Sequence, residues 1–323
     1  MRAFLLRCLL FALVLGAVAW ALDAMLMHGI RQRRTHTLGA WNRVVQGRMD
    51  AQVLFTGSSR CLMHFDAQAI GERTGLRCWN LGMDGTQLEL QLGWLRTYLA
   101  HNPAPKVIVQ NVDLISLTPD SGVFFPAQYP PYLNEPDVYR AVRSVDHTWW
   151  KDRWIPLYSF SRLGLPYAGL AISGLLGRED TLTDPLVLGH EKRDWPWDGT
   201  FDRFVKEHPH GITRPIDRRM VDVLRQIIRA GHEAGSHVVL VVVPELLEMQ
   251  QFTINRTEVL AVFAQVAREE GALFRDLSCA ADLCGERRWF YNSQHLNAGG
   301  VARFTPVVAD SVSVWAAQPR MPS

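Results

Sequence analysis

The chain predicts an α/β fold, a doubly wound three-layer α/β/α sandwich around a five-stranded parallel sheet. Three observations carry that expectation. Short apolar runs at 52–56, 77–81, 106–111, 236–243 and 272–274 read as buried strands. Longer stretches of helical character follow them at 64–74, 85–101, 215–234, 255–270 and 297–314. Finally, the two kinds of segment alternate strand, helix, strand, helix, strand, which is the order of a parallel sheet.

The first residues stand apart from this pattern. After Arg2 and Arg7, residues 8–22 form an unbroken apolar run. A spanning helix needs about 20 residues, and Ala24, Met25, Leu26, Met27 and Ile30 supply the remainder. Asp23 and His28 then fall near one end, where an interface can solvate them. Residues 1–30 are therefore expected to form an uncleaved transmembrane anchor. A cleaved signal peptide is the alternative, because Ala17-Val18-Ala19 and Ala19-Trp20-Ala21 both offer small-x-small sites. Charge leaves the orientation open, with Arg2 and Arg7 on one side and Arg31, Arg33 and Arg34 on the other. Residues 31–49 are polar and read as a helical stalk leading to a domain at 50–323.

Within that domain each element has its punctuation. The helix at 64–74 ends at Gly75, strand 106–111 is entered through Pro103 and Pro105, and strand 236–243 stops at Pro244. From about 114 to 212 the alternation lapses into proline, tyrosine and tryptophan. A structureless loop of that length is uncommon, so an insertion with short helices is expected. Inside it, 163–176 is nearly all small and apolar and is expected to be a buried helix packed on the main domain, the alternative being a helix lying on the bilayer. Trp195-Pro196-Trp197 can fill a small core or stack on sugar faces. His190, His208 and His210 show no ligand spacing and are expected to be solvated.

Composition narrows the partners. The 323 residues carry a net charge of +2 and are 48% hydrophobic, so there is neither the basic footprint of a nucleic-acid binder nor the polarity of a disordered chain. Setting Cys8 aside leaves Cys61, Cys78, Cys279 and Cys284, an even number that suits an exported protein. Cys279 and Cys284 are close enough for a local bridge, with four unpaired buried thiols as the alternative. No C-x-x-C pair occurs and the histidines are not spaced with the cysteines, so no metal and no cofactor are expected.

Three short motifs fall where strands end or helices begin: Gly57-Ser58-Ser59-Arg60, Asn80-Leu81-Gly82-Met83-Asp84-Gly85, and Tyr291-Asn292-Ser293-Gln294-His295-Leu296-Asn297. A serine just beyond a strand can meet a substrate at the carboxyl edge of a parallel sheet, or it can simply cap the next helix. In order and placement the three motifs resemble the SGNH (GDSL) hydrolases, in particular the membrane-tethered exported branch with a G-S-S-R opening and a D-x-x-H-L-N-x-x-G ending. The likeness spans roughly 50–315 apart from the insertion.

That resemblance implies a flavodoxin-like sheet and a serine hydrolase acting on acyl esters, most simply O-acetyl esters of cell-envelope polysaccharide, by hydrolysis or transfer. It makes Ser59 the nucleophile and His295 the base. The N–H groups of Ser59 and Gly85 become oxyanion donors, Gly85 at the start of a helix. The family's G-x-N-D block is here Val109-Gln110-Asn111-Val112-Asp113, so the glycine is lost and Asn111 is the candidate third donor. The family's aspartate before the histidine is here Asn292, which can orient the ring but brings no charge; Asp276 or Asp113 are the candidates for a replacement acid. His64 reads as structural or as part of the site wall. An inner-membrane anchor with the domain in the periplasm is implied, or secretion after cleavage, with a membrane-bound acyltransferase as a partner. A non-catalytic envelope scaffold or polysaccharide-binding protein is the alternative function, with Asn292 as its best argument.

Overall fold

The computed structural model describes residues 1–119, 121–178 and 186–319. Residues 120 and 179–185 of the expected insertion, and the end of the domain at 320–323, lie outside the described residues. The strands in chain order are β1 Val53–Gly57, β2 Cys78–Gly82, β3 Val107–Asn111, β4 Leu186–Val187, β5 His190–Glu191, β6 His237–Val242, β7 Leu273–Asp276, β8 Phe290–Asn292 and β9 His295–Leu296. Five of them form one parallel sheet in the order β2-β1-β3-β6-β7. The pairs β4-β5 and β8-β9 are small antiparallel ribbons.

Alternate residues of each central strand enter opposite cores, which is why the runs are mainly apolar rather than alternating. Leu54, Ile108, Val238, Leu240 and Val242 pack beneath helices Leu88–His101, Pro136–Val145, Arg218–Glu233 and Arg256–Glu269. Val53, Phe55, Val107, Val109, Val239 and Val241 face helices Ala67–Thr74 and Ala298–Ala316. The chain runs from β1 outward to β2 and then crosses back to β3 on the other side of β1, so the order reverses there. In such sheets the loops part beyond the carboxyl ends at the reversal and leave a crevice. Ser59 follows β1 and Asn111 ends β3, so both sequence motifs are delivered to that crevice.

Strand positions agree with expectation to within a residue or two, but several helical expectations are corrected. The segment read as a helix over 64–74 belongs to two helices, Ser59–His64 and Ala67–Thr74. Phe65 drops into the core between them, and Asp66 caps the second by accepting from Ala69 N at 3.0 Å. The helix expected from Gly85 begins only at Leu88. His190 is buried rather than solvated, near Asp66 and within 3.2 Å of Met63 O. Cys279 and Cys284 form a disulfide, whereas Cys61 and Cys78 are separate buried thiols.

The N-terminal region departs furthest. Helix Arg2–Arg31 has a mean hydropathy of 2.3 over its best 18-residue window, none of it buried against the protein. Beyond it there is no free-standing stalk. Helix His36–Val45 is amphipathic, and its apolar side enters the first core: Trp41 is 2% exposed and stacks on Trp94 at 3.8 Å, with Val44 and Met49 beside it. The apolar stretch at 163–176 lies in helix Tyr158–Leu175, which packs on the end of helix Arg2–Arg31 and not on the sheet.

The position of Trp41 yields a direct test. Trp41→Ala should lower the free energy of unfolding by about 3–5 kcal/mol, the cost of emptying a large core site, read from denaturant melts of the detergent-solubilised chain. A tryptophan on a solvated stalk would cost no more than roughly 0.5 kcal/mol, and that outcome would return residues 36–49 to the role of a linker.

Candidate active site

β1 ends at Gly57, whose φ of +150° suits glycine and whose Cβ, were there one, would sit 2.7 Å from Asn111 Cβ. The chain then turns through a single residue into helix Ser59–His64. Ser58 is the N-cap, and its hydroxyl accepts from Arg60 N at 3.3 Å. The capping role therefore falls to Ser58, which leaves the Ser59 hydroxyl to face elsewhere. Ser59 Oγ lies 2.8 Å from His295 Nε2, although 236 positions separate the two in sequence.

The ring's other nitrogen, His295 Nδ1, lies 2.9 Å from Asn292 Oδ1. That oxygen also accepts from the backbone N–H groups of Gln294 and His295, each at 3.0 Å. Only an oxygen can accept from two backbone amides, so the amide orientation is determined by its partners, and Nδ1 must carry the proton. Nε2 is then the unprotonated nitrogen facing Ser59. Tyr291 stacks on the imidazole at 5.3 Å with a 12° interplanar angle. Behind the loop, His64 Nε2 accepts from Leu296 N at 3.0 Å, so His64 is a buried support for the turn that carries His295.

Beneath the serine lies a charged cluster. Arg60 is buried and donates to Val243 O at 2.7 Å and Pro244 O at 3.0 Å. It also pairs with Asp113 at 3.1 Å and Glu245 at 3.5 Å. Asp113 accepts from the Ser58 hydroxyl and, at 3.2 Å, from the Asn111 amide. Burial pushes the Glu245 carboxyl up, opposed by Arg60 and reinforced by Asp113. At His295 the signs all agree: burial, then Arg60, then Arg193 disfavour the imidazolium and bring its pKa down to about 3. No carboxylate offsets them at Nδ1, because the partner there is Asn292.

The sequence-derived donors are placed unequally. The Ser59 N–H is at the first turn of its helix. Gly85 is in a left-handed turn at φ +64°, before the helix that starts at Leu88, so its N–H gains nothing from that helix's end. A Cβ there would meet the Phe124 ring at 2.3 Å, and burial pushes the neighbouring Asp84 carboxyl up, opposed by Arg193. Asn111 is corrected outright. Its amide is buried and turned toward Asp113, Val112 O and Val241 O, so it braces the cluster rather than facing the serine. Neither candidate replacement acid pairs with His295. Asp113 serves Ser58 and Arg60, and Asp276 pairs with Arg256 at 3.1 Å.

Four participants were missed by the sequence reading: Arg60, Glu245, Arg193 and Tyr291. Arg60 and Tyr291 stand inside motifs already singled out, but nothing in a motif says that an arginine is buried. Arg193 joins the two sides of the site, contacting Asp84 at 3.5 Å, Glu191 at 2.7 Å and the Tyr291 hydroxyl at 3.2 Å. A cavity of about 200 Å³ opens over Ser59 and Gly85. It meets a groove of about 460 Å³ at Ile115, Arg214 and Gln294, which continues past Arg203 and Thr200. Among the described residues, no three His, Cys, Asp or Glu side chains are grouped as metal ligands.

No protein-family model and no curated protein matches this chain. Two solved structures are similar to it in backbone course. One is a mutant of Axe2, an acetyl-xylooligosaccharide esterase from Geobacillus Stearmophilus, at 12% identity and a TM-score of 0.41, covering 87% of this chain and 99% of that one. The other is an extracellular lipase from Streptomyces rimosus, also at 12% identity, with a TM-score of 0.35 and coverage of 80% and 98%. Identity and superposition are too low for either neighbour's activity to bear on that of this chain.

Proposed function

We propose that the protein is a membrane-tethered serine esterase or acyltransferase of SGNH type, acting outside the cytoplasm on acyl esters, of which O-acetyl groups on envelope polysaccharide are the best match. The observation that carries this reading is the line Ser59 Oγ, His295 Nε2, His295 Nδ1, Asn292 Oδ1, at the sheet's reversal point. A hydroxyl bonded to an unprotonated imidazole nitrogen, with the ring's far side held by an acceptor, is the arrangement of an activated nucleophile.

In the proposed reaction Ser59 Oγ attacks the ester carbonyl while His295 Nε2 takes its proton. The carbonyl oxygen becomes an oxyanion facing the Ser59 and Gly85 N–H groups. Collapse expels the alcohol, which receives the proton from His295, and leaves an acyl group on Ser59. Water or a sugar hydroxyl then resolves that intermediate by the same steps in reverse. The groove leading from the serine past Arg214 and Arg203 suits an extended, polar substrate. A membrane-bound acyltransferase could supply or receive the acyl group.

Asn292 makes this an unusual base. In the serine-protease template, replacing the aspartate by asparagine costs about 10⁴ in rate because the ring is held in the wrong tautomer. Here the Asn292 oxygen, not its amide nitrogen, faces the ring, so the tautomer is right and only the charge is missing. The same missing charge is what favours the second reading, a binding protein that has kept the cleft without the turnover.

Two experiments separate these readings. Fluorophosphonate should label the full-length chain in detergent, Ser59→Ala should abolish the labelling, and His295→Ala should slow it by about 10²–10⁴-fold. Absence of Ser59-dependent labelling together with absence of acetyl-ester turnover would sink the enzyme reading. The second experiment is a pH profile. Catalysis needs unprotonated His295, whose pKa of about 3 keeps kcat/KM level as acidity rises from neutrality to about pH 5. Asn292→Asp should move that acid limb upward by about 1–3 units, since a carboxylate at Nδ1 favours the imidazolium, and should raise turnover. An unmoved limb would mean that position 292 does not govern the ring.

A further inference from the structure

We infer that helix Tyr158–Leu175, with the short helix Trp150–Trp154 before it, lies in the headgroup layer of the bilayer and seats the catalytic domain on the membrane surface. This rests on reading helix Arg2–Arg31 as the anchor, and it adds a second, independent membrane contact.

The geometry of the anchor comes first. A 30-residue helix is about 45 Å long, which matches a hydrocarbon core of about 30 Å together with its headgroup regions. Residues 3–22 are twenty residues, about 30 Å of helix; with these inside the hydrocarbon and Arg7 snorkelling to the far interface, Asp23 lies at its edge and the turns from Ala24 to Arg31 stand in the headgroup layer. The second helix packs on those turns. Asp23 Oδ1 accepts from Leu157 N at 2.9 Å, at the residue that caps helix Tyr158–Leu175. At the other end the two helices touch backbone to backbone, since a Cβ on Gly29 would fall 2.1 Å from Ala171 O and one on Gly174 would fall 2.0 Å from Gly29 O. Helix Tyr158–Leu175 is therefore held at the depth of residues 23–29, just outside the hydrocarbon.

Its free side matches that depth. Leu165 is 87% exposed, and Ile172, Leu176 and Trp154 are exposed as well. Large apolar side chains concentrated beside an anchor, on a helix whose other side is already packed, fit a lipid interface better than water. Arg33, itself buried, donates across the crossing to Ser173 Oγ at 3.1 Å and to Arg178 O at 3.3 Å, which fastens the second helix to the end of the first. Gly164, at φ +76° and ψ −171°, interrupts the helix and divides Tyr158–Leu175 into a short first segment that approaches Asp23 and a longer second one that crosses Gly29. A bilayer is continuous with the anchor and covers this face without requiring any further partner.

The test places single NBD probes on the full-length chain in phosphatidylcholine vesicles and quenches them with doxyl-labelled lipid. Native Cys8, exposed on the anchor, is the first site; Leu165→Cys and Ile172→Cys are made in a Cys8→Ser background, with exposed Thr257→Cys as the aqueous control. The expected result is loss of most of the emission at 8, 165 and 172, a blue shift at all three, and no change at 257. Quenching at 8 but not at 165 and 172 would overturn the interfacial helix and leave the anchor standing. Emission unchanged at 8 would overturn both. Quenching at 257 equal to that at 165 would show general adhesion of the domain and would likewise sink the inference.

Discussion

The site depends on one buried guanidinium. Arg60 sits immediately after Ser59 and reaches the ends of three strands: it is carried by the turn after β1, pairs with Asp113 just past β3, and donates to Val243 O and Pro244 O just past β6. Parallel strands diverge in their loops at a reversal point, so something must hold those loops together if a crevice is to keep its shape. A buried cation with two buried carboxylates does this at a high desolvation cost, and removal of the guanidinium leaves both carboxylates without a counter-charge. The Ser58 cap and the Asn111 amide are bound into the same cluster through Asp113.

The cluster also sets the chemistry above it. Arg60 and Arg193 both oppose a positive His295, and burial opposes it more strongly than either. In an ordinary triad an aspartate would offset them. Here Asn292 supplies position and tautomer without charge, so orientation is fully organised while basicity is low. Proton transfer to a weak base is the slow part of such a mechanism, and orientation is the part that costs nothing further at the moment of reaction. In the proposed reaction this arrangement would favour constancy across pH over speed.

The membrane side of the molecule follows from helix packing. Because Trp41 of helix His36–Val45 is stacked inside the first core, the domain begins within a few residues of the anchor's end and cannot swing on a long tether. The crossing of Gly29 with Gly174 adds a second rigid contact at the same level. With helix Arg2–Arg31 as the proposed anchor, a site fixed this close to it would sample only the layer next to the bilayer and constrain any substrate more tightly than a flexible stalk would.

Much of this was legible in the chain itself. Mainly apolar, non-alternating runs marked strands buried on both faces, their alternation with helices marked a parallel sheet, and Gly57-Ser58-Ser59-Arg60 together with Tyr291–Asn297 marked the two segments that meet. The spacing of Cys279 and Cys284 suggested their bond. Sequence could not say which partner a polar side chain takes when two are in reach. Asn111 looks like a donor at a strand end, yet it is committed to Asp113; residues 31–49 look like a polar stalk, yet one face of their helix is apolar enough to fill a core; helix Tyr158–Leu175 looks like buried sequence, yet it packs on the anchor. Residue type and period determine which elements form and which motifs fall at their ends, because those preferences are local. Burial, pairing and charge balance are decided only when segments more than two hundred positions apart come into contact, and for that reason the geometry of Ser59, His295 and Asn292, and the weakness of that base, belong to the tertiary structure alone.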